Sequence, residues 1–259
     1  MKNYLQVANE AVKIGAEILQ NEKYHFQKYM EKSDKDPVTD MDIKIENEIK
    51  EFLRKSTSDI KFLGEEENGQ FDIDDKYWVL DPIDGTANFS RGIPIFTISL
   101  ALLCRGIANV GVVHYPHLKE TYSAEAGKGA FLNGRKIQVS NRKKLRDSII
   151  GFGDFTTGES AEIKVHNALA AHVFRMRLIG TAALQMAWVA SGRLDIGVTL
   201  SNHIWDIQAG VLLVREAGGA VYDIDGSEHS VNSRCTIASN QHLKSVIIER
   251  ISEYSDYFA

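Results

Sequence analysis

Apolar residues near the start of the chain recur every three or four positions. Leu5, Ala8, Val12, Gly15 and Leu19 share one face, and the spacing predicts an amphipathic helix. A polar, charged stretch with Lys32, Asp34, Lys35 and Asp36 leads to Pro37. Thr39 can then cap a second helix, whose apolar stripe is Met41, Ile45, Ile49 and Phe52. Asp42 lies in its first turn, off that stripe. From Tyr77 the pattern changes. Segments 77–80, 96–103, 110–115, 121–124 and 130–132 are short and rich in Ile, Val, Thr and aromatics, and Asn133-Gly134 is a hairpin signal. Strands in such quick succession predict an antiparallel sheet. Beyond about residue 145, strands (148–152, 176–179, 194–200, 220–222, 235–238) alternate with helices (161–173, 181–191, 207–216, 241–252). The expected fold is a layered α+β and α/β sandwich. Residues 1–145 would form the N-terminal helices plus an antiparallel sheet, and 146–259 an α/β half with a mixed sheet, in alternating αβαβα layers.

Composition narrows the class. The 259 residues are 44% hydrophobic and 25% charged, enough for a sizeable core. No run of about 18 apolar residues occurs, which argues against a membrane span. The opening MKNYLQVANEAVKIG has a polar residue at every helical turn and lacks the apolar run of a signal peptide. Two cysteines, Cys104 and Cys235, make neither a disulfide framework nor a thiolate zinc site, so a reducing cytoplasm is expected. A net charge of −5 argues against a broad nucleic-acid surface.

The chemistry concentrates in three acidic elements. Asp81-Pro82-Ile83-Asp84-Gly85-Thr86 ends an apolar strand. Pro and Gly turn the chain there and can aim two carboxylates and a carbonyl at one point. Buried acids must be paired or bind a cation, and oxygen ligands suit Mg²⁺ or Ca²⁺. Gly85 and Thr86 could offer N–H groups to an anion. Spacing alone leaves an ordinary acidic turn equally open. Gly64-Glu65-Glu66-Glu67 reads as a solvated loop, or as a loop with one glutamate turned inward. Asp206, after Trp205, reads as a helix cap, a role compatible with a site role. His114-Tyr115-Pro116-His117 reads as a strand end, Trp188 and Trp205 as packing residues, and His203 could face a pocket near Asp206.

Together these residues resemble the inositol monophosphatase family. Leu80-Asp81-Pro82-Ile83-Asp84-Gly85-Thr86-Ala87-Asn88-Phe89 is similar to its first signature. Trp205-Asp206-Ile207-Gln208-Ala209-Gly210, continuing to Gly218-Gly219, is similar to its second. Gly64-Glu65-Glu66 and Pro37-Val38-Thr39-Asp40-Met41-Asp42 match two further elements in the right order. The resemblance implies an Mg²⁺-dependent, lithium-sensitive phosphomonoesterase with two to three Mg²⁺ per site. Glu65, Asp81 and the Ile83 carbonyl would hold one ion, Asp81, Asp84 and Asp206 a second, and a weaker third would sit near Glu65. Asp42 and Thr86 would orient the attacking water, with Glu65 assisting. Gly85 and Thr86 would bind phosphate, and Gly180, Thr181 and Ala182 would line the substrate pocket. It further implies a homodimer acting on a small phosphorylated metabolite.

One position departs from the family. Members acting on inositol phosphates place an acid where this chain has Thr199. A lost carboxylate contact changes substrate preference more than chemistry. Substrates open at this stage are a polyol or sugar phosphate, fructose 1,6-bisphosphate, histidinol phosphate and adenosine 3′,5′-bisphosphate. A non-catalytic protein-binding role on the same fold is also open.

Overall fold

The three-four spacing winds the first segment into α1 (Tyr4–Asn21) and the next apolar stripe into α2 (Asp40–Ser56). The computed structural model describes residues 3–21, 30–33, 36–67, 71–153, 161–200 and 203–258, with the backbone alone at 21, 30–33 and 36–38. Thr39 caps α2. Its hydroxyl accepts the Met41 N–H at 3.2 Å, and Asp42 accepts the Thr39 N–H at 2.9 Å. The buried stripe runs Met41, Ile45, Ile49 and Leu53, with Phe52 only partly covered. Asp42 and Glu46 are buried beside it. Between the helices, β1 (Met30–Ser33) and β2 (Asp36–Val38) pair as an antiparallel ribbon where the sequence reads only as a charged stretch. Asp34 and Lys35 lie outside the described residues, and so does the Lys32 side chain.

The first sheet has seven strands in chain order. They are β3 (Lys61–Gly64), β4 (Lys76–Asp84), β5 (Thr97–Cys104), β6 (Ile107–Tyr115), β7 (Glu120–Glu125), β8 (Ala130–Leu132) and β9 (Arg135–Ile137). β4 to β9 are antiparallel as expected, while β3 lies parallel to β4 at the edge, which makes the sheet mixed. Asn133 and Gly134 join β8 to β9 with φ of 48° and 76°, the left-handed pair that a two-residue hairpin needs. A short helix, α3 (Thr86–Ser90), follows β4. The second sheet is built from β10 (Ile149–Phe152), β11 (Arg175–Leu178), β12 (Ile196–Leu200), β13 (Ala220–Tyr222) and β14 (Cys235–Ser239). Their order is β11-β10-β12-β14-β13. Its helices are α4 (Ala161–Ala170), α5 (Ala182–Ala190), α6 (Ile204–Glu216) and α7 (Lys244–Ile251).

Alternation along β4 divides the core. Trp78 and Leu80 pack with Ala8, Val12, Ile45 and Ile49 of α1 and α2. Tyr77 and Val79 face the other way, onto a cluster with Ala183, Met186, Ala209 and Leu213 of α5 and α6. Val165 of α4 and Ile247 of α7 pack with Ile150, Ile196 and Ile237 of the second sheet. The layers therefore run helix, sheet, helix, sheet, helix. α5 and α6 belong to the second half by sequence yet are buried against the first sheet.

Close approach fixes α6. A Cβ on Gly111 of β6 would stand 2.8 Å from the Ala209 carbonyl oxygen and 3.0 Å from its Cα. Both are backbone atoms that cannot rotate away. Gly111→Ala is therefore expected to destabilise the fold by about 1–3 kcal/mol, read as a lower melting temperature. Thermal melting at wild-type temperature would show that α6 is free to shift.

Candidate active site

The site starts from an irregularity in β4. Asp81 pairs with Ser99 and Asp84 with Thr97, so β4 carries one more residue than β5 across this interval. In a regular strand, residues three apart point to opposite faces; the extra residue brings both acids to one face. Pro82, which has no N–H to donate, is tolerated at such a bulge. Ile83 turns the other way into the α1–α2 core and anchors the bulge from behind.

Asp84 is gripped from the second half. The Thr97 hydroxyl donates to it at 3.0 Å, the N–H groups of Ala182 and Ala183 at 3.0 and 2.9 Å, and the Thr181 hydroxyl also donates. An acid at the N-terminus of α5 is electrostatically favoured. Burial nevertheless pushes the Asp84 carboxyl up, against the pull of these bonds. Thr181 and Ala182, expected along a substrate pocket, thus reach the site by holding Asp84. Asp81 is 2% exposed, and its Oδ1 meets no hydrogen-bond donor. Burial pushes its carboxyl well up, and the charges of Glu65, Asp84, Asp206 and Asp42 add to this.

Each of those neighbours is set by its own element. Glu65 follows β3, and its N–H donates to the Leu80 carbonyl at 3.2 Å, which draws the loop alongside Asp81. Asp206 stands in the first turn of α6, where its Oδ2 accepts the His203 N–H at 2.9 Å, so capping and proximity to Asp81 coexist. Asp42 accepts the Thr86 hydroxyl at 3.2 Å, and the Ile83 carbonyl lies 2.9 Å from the same hydroxyl. Burial is the main cause that pushes the Asp42 carboxyl up to about 6. Gly85, at φ 102°, turns the chain from β4 into α3, and a Cβ there would stand 3.0 Å from the Gly180 carbonyl. Thr199 is buried on β12, its hydroxyl accepting from Gln185 Nε2 at 3.1 Å.

The acids share one field without meeting at one point. Among the described residues, no three His, Cys, Asp or Glu side chains form a ready ion-binding group. Asp84 and Asp206 spend carboxylate oxygens on the donors just named. Residues to which the sequence assigns no role of their own also hold the site. Asn88 Nδ2 donates to the carbonyls of Ile95 at 2.8 Å and Ile179 at 3.0 Å, tying α3 to the segment before α5. Gln185 and Glu46 are likewise buried, and burial pushes the Glu46 carboxyl up. His114 bonds Thr121 within the sheet, while His203 is exposed and stacks on Trp205 at 5.0 Å between ring centres. Both cysteines are free, and no helix among the described residues is long and apolar enough to cross a membrane.

Comparison with known proteins agrees with this architecture. The model of the inositol monophosphatase family matches residues 1–256. Inositol monophosphatase 1 of Solanum lycopersicum is 35% identical, over 98% of this chain and 97% of its own length. The fructose-1,6-bisphosphatase/inositol-1-monophosphatase of Thermotoga maritima is 39% identical, over 85% of this chain and 84% of its own length. A solved structure of a Thermotoga maritima IMPase superposes with a TM-score of 0.90 at 33% identity, covering 100% of both chains.

Proposed function

Because the chain belongs to the inositol monophosphatase family and is a phosphoric monoester hydrolase, we propose that it cleaves the phosphate ester of a small polyol or sugar by direct attack of water. The observation that carries the reading is Asp81. A buried carboxylate whose oxygen meets no donor, in the field of four other acids, calls for a cation. The donors are all oxygen, which fits a hard divalent ion such as Mg²⁺. Glu65, Asp81 and the Ile83 carbonyl would hold one ion, Asp81, Asp84 and Asp206 a second, with a weaker third near Glu65. When bound, such ions neutralise the phosphate and lower the pKa of a bound water.

The chain's own groups do the rest. The Thr86 hydroxyl can donate to Asp42 at 3.2 Å or to the Ile83 carbonyl at 2.9 Å; turned to Asp42, its oxygen is left to accept a hydrogen bond from the attacking water. As water attacks phosphorus the ester P–O bond breaks; the attacking water's proton passes to Thr86 Oγ1, the Thr86 proton passes to Asp42, and the departing alkoxide takes a proton from a solvent water, with Asp42 later returning its proton to solvent. Asp42, held by Thr39 and beside Thr86, is the carboxylate placed to receive the Thr86 proton. Gly85 and Thr86 offer N–H groups to the phosphate. Gly180, Thr181, Ala182 and Thr199 would line the substrate side, Thr199 being neutral where members acting on inositol phosphates carry an acid. Fructose 1,6-bisphosphate is a second candidate substrate, in keeping with the dual name of the Thermotoga maritima relative.

A panel of phosphate esters tests the reading: inositol 1-phosphate, fructose 1,6-bisphosphate, histidinol phosphate and adenosine 3′,5′-bisphosphate, each with Mg²⁺. Hydrolysis of a polyol or sugar phosphate is expected, lost with chelator, restored by Mg²⁺ and inhibited by lithium. Turnover that survives exhaustive chelation would overturn it. A strong preference for the nucleotide would replace the substrate class.

A further inference from the structure

Glu46 is 4% exposed, one turn beyond Asp42 on α2, and has no part in the chemistry above. Its carboxylate lies against the loop that carries Glu65. Oε2 accepts the Glu66 N–H at 2.9 Å. A Cβ on Gly64 would run into both carboxylate oxygens and the carbon between them, so the acid fills the space a side chain would take. One turn further, Lys50 reaches both oxygens of Glu67 at 2.6 Å. Asp42, Glu46 and Lys50 thus stand four apart on one face of α2. They end on Thr86, on the loop backbone and on Glu67.

We infer that Glu46 is a positioning residue that fixes the Gly64–Glu67 backbone, and through it the direction in which Glu65 presents its carboxylate to a divalent cation. The inference rests on the reading of Glu65 as a ligand. A buried carboxylate beside three glutamates is a poor stabiliser, and an apolar side chain of similar volume would serve folding better. What the acid adds is a rigid loop. Glu65 is pinned on one side by its own N–H on Leu80, and on the other by the Glu66 N–H on Glu46. Groups behind metal ligands set affinity in this way.

Glu46→Gln in the full chain keeps the shape but offers the Glu66 N–H a neutral amide in place of a carboxylate. Mg²⁺ binding is read by calorimetry and by the Mg²⁺-induced rise in melting temperature, alongside the Mg²⁺ dependence of hydrolysis. The Mg²⁺ concentration for half effect should rise about 10- to 100-fold, with kcat and KM at saturating Mg²⁺ near wild type. Gly64→Ala, which crowds the same carboxylate from the loop side, should shift the Mg²⁺ titration in the same direction. A cooperative melt of each metal-free variant shows that it is folded. Unchanged Mg²⁺ affinity in Glu46→Gln, whether kcat falls or not, would overturn the inference. A wild-type protein that ignores Mg²⁺ altogether would overturn the reading of the site and this inference with it.

Discussion

Asp81→Asn is expected to abolish hydrolysis and, in metal-free protein, to raise the melting temperature. The substitution preserves shape and removes one charge. In the wild type that charge is buried, one of its oxygens lacks a donor, and Glu65, Asp84, Asp206 and Asp42 all repel it. Replacing such a group by a neutral isostere should stabilise the metal-free fold by about 1–3 kcal/mol. The same charge is the one assigned to both cation positions. Its loss should lower kcat/KM by about 10³-fold or more, equivalent to about 4 kcal/mol of transition-state stabilisation. The two readouts move in opposite directions, which separates this outcome from simple misfolding. Calorimetric melting in chelator and a rate assay in Mg²⁺ measure them. A variant that melts lower in chelator would show that the carboxylate holds the fold together, and retained activity would remove Asp81 from the chemistry.

Elements with a clean local period are legible in the chain. The stripes of α1 and α2 fall where the three-four spacing puts them, and Asn133-Gly134 makes the hairpin that its dipeptide signals. What escapes is non-local. Asp42 and Glu46 sit off the apolar stripe, and their partners Thr86 and Glu66 lie 44 and 20 residues away. Nothing near α2 in the sequence announces those partners. β1 and β2 are four and three residues long, too short to display an alternation. The acids of β4 pose the sharper case. Pro82 hints at a bulge, but strict alternation would separate Asp81 from Asp84, so only the register against β5 shows that they share a face. Thr181 and Ala182 read as pocket residues only by the family resemblance. That the N-terminus of α5 also grips an acid from β4, as a helix N-terminus favours, could not be read from the chain.

Raising the pH should weaken the metal-free protein while widening the gap between it and the Mg²⁺-loaded form. Burial lifts Asp42 from 3.8 to about 6 and also lifts Asp81, Asp84 and Glu46. For an acid raised in this way the folded state binds the proton more tightly than the unfolded chain does. Stability is then highest below the unfolded value and falls as pH climbs through the folded one. For Asp42 the window runs from 3.8 to about 6, and the loss is about 3 kcal/mol once both states are ionised. Asp81, raised further, extends the decline toward higher pH. A divalent cation reverses the sign, because it binds the ionised carboxylates and competes with protons for them. Melting temperatures in chelator should therefore fall as pH rises from about 4 through about 6 and beyond, while the rise caused by Mg²⁺ grows over the same range. A flat profile in chelator would mean that these acids are neutralised by protein groups. The electrostatic case for a cation at Asp81 would then fail, whatever the chain hydrolyses.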